Sequence, residues 1–294
     1  MQIFGILLMI LIASGVSFLA SSNSIIINVI HYDVPLVFFC MFIAFLIHWV
    51  LFIPAFIFKT ERFFDLTGSI ANTMVVSVAL YYKYIYLSST LDYRSIILQA
   101  LVVLWAIRLG AFLFYRVLAD GKDRRFDEIK ISFLKFLFTW NLSAFWVFIT
   151  TCCALTVISS KMVMVPDYYM FFGIFLWVAG FLLEAIADFQ KRRFKSMSSN
   201  KDQFINSGLW SISRHPNYLG EIILWLGIAV IGFPVLSGFE YITLISPIFV
   251  YLLLTRISGI NLLEEIADKK WGNLDSYNLY KKTVPVLFPN IFRK

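Results

Sequence analysis

A stripe of acidic and basic side chains runs along one long apolar segment toward its polar end. Four residues form it, at offsets of 0, 4, 8 and 11: Glu184, Asp188, Arg192 and Lys195. On a helix of about 3.6 residues per turn, these offsets place all four on one face. An ionisable group at membrane depth costs roughly 3 kcal/mol unless it is paired or faces water, so Glu184 and Asp188 are candidates for a functional site. The alternative is a structural Asp188–Arg192 ion pair beside basic side chains that reach the headgroups.

The densest polar motif is Ser-Gly-Leu-Trp-Ser-Ile-Ser-Arg-His-Pro-Asn-Tyr-Leu-Gly-Glu at 207–221, just before another apolar segment. Pro216 suits the first turn of a helix, and Gly220 permits close backbone approach. A positive, hydrogen-bonding turn at a helix N-terminus suits a phosphate or a carboxylate, which predicts a cofactor site. Five side chains could carry it: Arg214, His215, Asn217, Tyr218 and Glu221. The alternative is a basic turn at which the chain enters the membrane.

Two more polar residues lie at and beyond the end of the last apolar segment. Arg256 lies at its end, and Glu264 lies in an amphipathic tail at 259–294. A tail rich in Tyr and Trp is typical of an interfacial anchor. Together with the motif at 207–221, however, these residues could close a polar cofactor pocket. The chain has no Gly-x-Gly pair, which excludes a Rossmann phosphate loop, so side chains must hold any nicotinamide cofactor.

Long apolar helices must position these residues, because the composition is that of an integral membrane protein. Hydrophobic residues make up 60% of the 294 positions, charged residues 15%, and the mean hydropathy is +0.80. A soluble domain is closer to half apolar and a quarter charged, and a span takes roughly 20 helical residues. Spans are predicted near residues 3–20, 34–58, 66–88, 95–118, 135–158, 168–190, 218–236 and 241–258. We therefore expect an all-α, polytopic helical bundle of seven or eight helices.

The charges predict the orientation of the bundle. Basic residues fall in alternate loops, as the positive-inside rule describes. Both termini and the loops at 120–130 and 191–217 are therefore expected in the cytoplasm, with the chain in a bacterial inner membrane or the endoplasmic reticulum. Topology and anionic lipid account for the net charge of +7, so no nucleic-acid partner is expected. No Lys or Arg precedes the first apolar segment, so we interpret it as a span and not as a secretory signal.

The remaining features argue against metal and redox sites. Cys40, Cys152 and Cys153 lie in apolar segments, where a thiol packs as a small hydrophobe. The histidines are scattered, so no metal-ligand spacing is present. No repeat or linker divides the chain, which predicts one membrane domain over 1–294. Within it, 1–160 would hold the N-terminal spans and the substrate, and 161–294 the cofactor.

Several of these motifs resemble a known family. They are Arg-His-Pro-Asn-Tyr-Leu-Gly-Glu at 214–221, Leu-Leu-Glu-Glu ending at Glu265, and the tail Trp-Gly…Tyr…Tyr-Lys…Val-Pro…Phe-Pro. Together they resemble the C-terminal domain of the steroid 5α-reductase-like membrane enzymes, in a branch of uncharacterised relatives. The stretches at 59–69 and 121–127 resemble the same branch. Isoprenylcysteine and phospholipid methyltransferases share the Arg-His-Pro…Tyr…Gly and Glu-Glu elements.

The resemblance implies an all-helical membrane reductase that holds NADPH and reduces a carbon-carbon double bond conjugated to a ketone, in a steroid or other lipid-like substrate. The family's cofactor contacts correspond here to Glu184, Asp188, Arg192, Lys195, Asn217, Glu221 and Arg256. Glu184 stands where the steroid enzymes have Asn, and Glu264 replaces a Tyr near the end of their cofactor site. Trp105 corresponds to the Tyr that polarises the steroid carbonyl and has no phenolic proton, which argues against strict steroid specificity.

Hydride delivery to an enone builds negative charge on the carbonyl oxygen, so the reaction needs a proton or hydrogen-bond donor there. The candidates are Glu61, Asp65, Tyr115 and Tyr82. Two other functions stay open: a SAM-dependent methyltransferase of a lipid or a prenylated thiol, and a non-catalytic sterol- or lipid-binding membrane protein. The acid and base stripe favours the reductase, because a phosphate-rich dinucleotide needs more basic contacts than a sulfonium. The expected partners are a lipid-like small molecule and membrane lipids.

Overall fold

The computed structural model describes residues 1–88, 92–121, 123–200, 202–257 and 259–289. Lys122 and Lys201, which contribute to the predicted charge bias, lie outside these residues, as do position 258 of the last predicted span and the final five positions of the tail. The α-helices have the following bounds: α1 Gln2–Leu19, α2 Leu36–Ile57, α3 Phe64–Tyr86, α4 Tyr93–Asp120, α5 Phe133–Ser159, α6 Tyr168–Ser196, α7 Pro216–Gly232, α8 Ile245–Leu252, α9 Ile260–Trp271 and α10 Asp275–Thr283.

The prediction of an all-α polytopic bundle is confirmed. Within the described residues, seven helical stretches are long and apolar enough to cross a membrane: Gln2–Leu19, Leu36–Ile57, Tyr93–Ala119, Phe133–Ser159, Tyr168–Ser196, Pro216–Val235 and Gly238–Trp271. Their number and length make the chain a multi-pass membrane protein. The side of the membrane on which the termini lie stays a prediction.

The predicted span at 66–88 corresponds to α3, which is long enough to cross a membrane but is not among the seven apolar stretches. Polar side chains lower its hydropathy, and three of them are almost fully buried: Thr67, Asn72 and Lys83. The Thr67 hydroxyl donates to Phe63 O at 2.8 Å, and the Asn72 amide donates to Gly68 O at 2.9 Å. Helix α3 thus turns these polar groups into the protein, where the backbone accepts the hydrogen bonds that Thr67 and Asn72 donate.

A short hairpin between α1 and α2 was not predicted. Strands β1 (Ile26–Val29) and β2 (Tyr32–Pro35) pair antiparallel, with Ile27 opposite Val34. The two residues of the turn, Ile30 and His31, have φ values of 49° and 70°. Such turns normally contain Asn or Gly, so the sequence lacks the usual hairpin signal.

Contacts divide the chain into two compact units. Unit 1 comprises Met1–Phe171 and Ile228–Ser246, and its central element is α5, which is buried over most of its length and contacts α1, α2, α3 and α4. Hydrogen bonds tie α5 to α2: His48 Nε2 lies 3.0 Å from Ser143 Oγ, and the Trp49 indole donates to Asn141 at 3.0 Å. Polar contacts of this kind are typical between membrane helices.

Two basic residues of the sparsely charged loops are neutralised inside unit 1. Lys83 pairs with Asp92 at 2.6 Å, and both side chains are at most 3% exposed. Arg94, which is 1% exposed, pairs with Asp167 at 3.0 Å and donates to Ile231 O at 2.6 Å. These two cations therefore have structural roles.

Unit 2 comprises Phe172–Gly227 and Pro247–Lys294. Within it, α6 and α7 cross at glycines. A Cβ atom on Gly220 would lie 2.5 Å from Glu184 N, and one on Gly180 would lie 2.5 Å from Gly220 O. Only glycine permits this approach, as at other small-residue helix crossings. Gly220 therefore brings the start of α7 against the buried acidic part of α6.

Candidate functional site

The turn that leads into α7 is held by the C-terminal end of the chain. We call residues 210–217 the entry turn and residues 284–289 the C-terminal strap. Arg214 N donates to Pro285 O at 2.9 Å, and His215 N donates to Val286 O at 3.1 Å. The Tyr280 hydroxyl donates to Trp210 O at 2.7 Å. These backbone contacts fix the entry turn without using the side chains of Arg214 and His215.

Those two side chains converge on one carboxylate. Glu264 accepts a hydrogen bond from Arg214 Nη1 at 2.5 Å through one oxygen and from His215 Nε2 at 2.8 Å through the other. Lys281 Nζ lies 3.7 Å from the oxygen that Arg214 contacts. Glu264 is about one-fifth exposed, whereas the Arg214 and His215 side chains are 11% and 7% exposed. The structure thus brings three of the candidate cofactor residues together.

Two polar atoms of this group remain unused. Arg214 Nε and His215 Nδ1 are buried and have no hydrogen-bond partner in the part of the chain that the structure describes. Burial lowers the pKa of His215 below its usual value, although Glu264 partly opposes this effect. Arg214 Nε is therefore a buried donor, and Nδ1 becomes a second one when the imidazole is protonated. Buried polar atoms are nearly always paired, so these two indicate a place for a ligand.

The four residues of the acid and base stripe differ in their exposure to solvent along α6. Glu184 and Asp188 are 2% and 7% exposed, whereas Arg192 and Lys195 are exposed to solvent. Glu221, in the first turns of α7, is 8% exposed. The three acids therefore lie inside unit 2, each with an interaction partner. The two bases lie beyond the buried part of the helix.

The other predicted cofactor residues lie at different distances from the entry turn. Tyr218 stacks on the His215 ring, with centroids 5.6 Å apart. Asn217 is half-buried in the first turn of α7. Arg256 is exposed in a π-helical turn at Leu253–Ile257. Tyr218 thus joins the Arg214–His215 group, whereas no contact of Arg256 with that group is found among the described residues.

Sequence reasoning missed a second ion pair beside Glu264. Asp268, one turn later in α9, contacts Lys281 Nζ at 2.6 Å and accepts from the Tyr277 hydroxyl at 3.1 Å. Glu264 and Asp268 are four residues apart on a helix, a spacing that places both carboxylates on one face. That spacing was the available signal, and it predicts a basic partner for α9.

The four proton-donor candidates lie in unit 1 and do not form one cluster. Glu61 is 5% exposed, pairs with Lys130 at 2.6 Å and accepts from Asp123 N at 3.1 Å. These contacts tether the loop before α5, which favours a structural role for Glu61. Tyr82 lies 17 residues beyond Asp65 on α3, or roughly 25 Å along the helix. These two residues therefore cannot act on the same carbonyl oxygen.

Asp65 lies near the start of α3, and Tyr115 lies near the end of α4. Asp65 Oδ2 is 3.9 Å from Arg116 Nη2, the neighbour of Tyr115. The Tyr115 side chain is 60% exposed. Trp105, by contrast, is 1% exposed and packs on Trp146 with ring centroids 5.9 Å apart. Trp105 is therefore a core residue of unit 1.

Metal ligands are not grouped in the described ranges, where no three His, Cys, Asp or Glu side chains lie together.

Comparison with known proteins gives one match. A family model described as "Protein of unknown function (DUF1295)" matches residues 51–284, most of the chain. No curated protein and no solved structure matches the chain. The matched range contains the entry turn, the buried acids of α6, and both Glu264 and Lys281.

Proposed function

The chain belongs to the DUF1295 family, and from its site we propose that it is a membrane-embedded, NADPH-dependent reductase. Its reaction would saturate a carbon-carbon double bond conjugated to a ketone in a steroid or other lipid-like substrate. The observation that carries this proposal is the buried Arg214–His215 pair at the N-terminus of α7. It presents unused polar atoms in a setting that favours an anion.

The residues present fit a nucleotide with several anionic groups. Arg214 would hold a phosphate oxygen through Nε, His215 would hold a second one through Nδ1 once its imidazole is protonated, and Lys281 adds a third basic group 3.7 Å from the Glu264 carboxylate. The buried acids of α6 and α7 are suited to accept hydrogen bonds from ribose hydroxyls. Bound NADPH would supply the hydride.

The chain must also supply a proton donor for the carbonyl oxygen of the enone. Asp65, Tyr115 and Tyr82 stay candidates for this donor, whereas Glu61 is held by Lys130. The motif resemblance to steroid 5α-reductase-like enzymes supports the same reaction class. Since Trp105 is buried and has no phenolic proton, it is not a candidate for this donor.

A SAM-dependent methyltransferase is the second candidate, favoured by one observation. Glu184, Asp188 and Glu221 are all buried in unit 2, and carboxylates suit a cationic sulfonium. The two cofactors therefore differ in the charge that the site must complement. NADPH needs the Arg214–His215 pair, whereas SAM needs the acids.

Ligand-dependent unfolding distinguishes the candidates. We would purify the protein in detergent and measure its thermal unfolding with NADPH, SAM or inorganic pyrophosphate. A ligand at a hundredfold excess over its Kd adds about 2.7 kcal/mol of stability, so the expected result is a rise with NADPH and pyrophosphate but not with SAM. NADPH oxidation with enone lipids would then identify the substrate. A shift with SAM alone would favour the methyltransferase, and no shift with any of the three would leave a lipid-binding protein.

A further inference from the structure

Glu264 occupies two donors of the entry turn, Arg214 Nη1 and His215 Nε2, that an anionic ligand could use in addition to the unused Arg214 Nε. Its two oxygens accept from Arg214 and His215, at 2.5 and 2.8 Å, as two phosphate oxygens would. A carboxylate and a phosphate compete for the same donors, because both bind Arg through oxygen acceptors. Arg214 and His215 are thus already neutralised by a residue of the chain itself.

Holding the entry turn in place does not require Glu264. The backbone of Arg214 and His215 is fixed by the C-terminal strap, through Pro285 O and Val286 O. Helix α9 is tied to α10 by a different carboxylate, that of Asp268, which contacts Lys281 and Tyr277. The C-terminal strap thus already holds the entry turn, and Asp268 already ties α9 to α10, so neither structural task depends on Glu264.

An alternative partner for Glu264 is already close. Lys281 Nζ lies 3.7 Å from its Oε2, beyond hydrogen-bond distance but near enough for a small side-chain rotation to form the contact. Glu264 is about one-fifth exposed, so its carboxylate can move without leaving a sealed cavity. Two arrangements of the same groups are thus available.

We propose that Glu264 is an internal counter-ion that competes with the anionic group of the ligand for Arg214 and His215, and that ligand binding displaces it toward Lys281. This inference rests on the proposed function, because it concerns the same site. It names the regulation of that site: the Glu264 carboxylate lowers the affinity for every anion, and it does so least for a ligand with enough other contacts to displace it.

Charge removal at Glu264 tests the proposal. Glu264→Gln keeps an amide oxygen for Arg214 but removes the competing charge. Glu265→Gln is the matched control, because Glu265 is the next residue and loses the same charge, but it is 61% exposed and pairs with Lys269. The probe is inorganic pyrophosphate, with its Kd measured by calorimetry on the intact protein in detergent. We expect removal of the charge to change this Kd by about 5- to 30-fold, which converts to roughly 1–2 kcal/mol.

We expect Glu264→Gln to bind pyrophosphate at least about fivefold more tightly than the wild type, and Glu265→Gln to bind it as the wild type does. Equal or weaker binding by a folded Glu264→Gln protein would overturn the proposal. If this variant does not fold, Glu264→Asp decides in its place, because the shorter carboxylate reaches Arg214 and His215 less well. It should bind more tightly than the wild type, and unchanged binding would again overturn the proposal.

Failure of this inference is distinguishable from failure of the proposed function. If the wild type binds NADPH and Glu264→Gln binds it no more tightly, only the counter-ion role is wrong. If neither protein binds NADPH or pyrophosphate, both the reductase and the counter-ion role are wrong.

Discussion

Replacing Arg214 by Ala tests the proposed anion site most directly. In the structure its Nη1 is engaged by Glu264, while its buried Nε is unused and available to a ligand oxygen. A hydrogen bond to a charged group contributes about 1.5–3 kcal/mol, which corresponds to roughly ten- to hundredfold in Kd. We therefore expect the Kd for NADPH to rise by that factor in Arg214→Ala.

The effect on folding should be much smaller. Glu264 keeps His215 and Lys281 as neighbours when Arg214 is removed, so its charge is not left isolated. The assay is NADPH titration by calorimetry on detergent-purified protein, with thermal unfolding measured on the same samples. Arg193→Ala is the matched control, because Arg193 lies in the exposed last turn of α6 and loses the same charge.

Arg214→Lys refines the test, because it keeps the charge but removes the Nε donor and the planar fork. We expect its Kd to lie between those of the wild type and Arg214→Ala. If folded Arg214→Ala bound NADPH within about twofold of the wild type, Arg214 would make no charge-assisted hydrogen bond to the cofactor. The reasoning about the entry turn would then be refuted.

Three further predictions concern packing, ion pairing and pH. Gly220→Ala places a Cβ 2.5 Å from the backbone of α6, so it should lower the stability measured by thermal unfolding by about 1–3 kcal/mol. Gly15→Ala is the control and should be neutral, because its Cβ would meet nothing within 4 Å. Equal effects of the two substitutions would refute the close crossing of α6 and α7. Asp92→Asn leaves Lys83 buried without a counter-charge and should cost about 3–5 kcal/mol in denaturant unfolding, whereas a change below 1 kcal/mol would contradict the pairing. Burial is the main cause that lowers the pKa of His215, so the imidazole of the folded protein takes up a proton only as the pH falls through that lowered pKa. Stability should decline as the pH falls from the ordinary His range to that lowered pKa, because the unfolded chain takes up the proton first, and sulfate should bind more tightly below it, where the folded protein carries the imidazolium; a pH-independent sulfate affinity would exclude His215 from the anion site.

The long helices follow from the sequence because crossing a bilayer sets their length. The spans predicted at 34–58 and 95–118 end within two residues of α2 and α4, Leu36–Ile57 and Tyr93–Asp120. Apolar runs of this length have few other folded solutions in lipid, since the backbone must satisfy its own hydrogen bonds. Hydropathy is therefore informative about these elements.

Local deviations from regular helix are not encoded in hydropathy. The last predicted span, 241–258, corresponds in the structure to 3₁₀ turns, the short helix α8 and the π-helical turn at Leu253–Ile257. All of these have the same apolar composition, so composition cannot distinguish them. The hairpin at 26–35 was missed for a related reason, because its turn residues are Ile30 and His31.

Helical spacing predicted which side chains of α6 share a face, but not how deeply each is buried. Glu184 and Asp188 lie inside unit 2, whereas Arg192 and Lys195 are exposed, because the apolar packing of α6 ends before the helix does. The contact between Arg214 and Glu264 joins residues 50 positions apart. Such tertiary contacts depend on the packing of α9 and the strap, which no local pattern contains.

The Glu264 carboxylate sets part of the charge that a ligand of this site must meet. Arg214 and Lys281 contribute two positive charges, and Glu264 and Asp268 contribute two negative ones. With His215 held neutral by burial, these four side chains balance one another, and the nearby Lys191, whose charge also acts on His215, leaves one excess positive charge. Attraction for an anion grows when Glu264 leaves Arg214 or when His215 gains a proton. A dinucleotide with several phosphates can offset the cost of displacing Glu264 through additional contacts, whereas a single small anion makes fewer such contacts and binds more weakly, so the Glu264 carboxylate selects for a large, highly charged ligand.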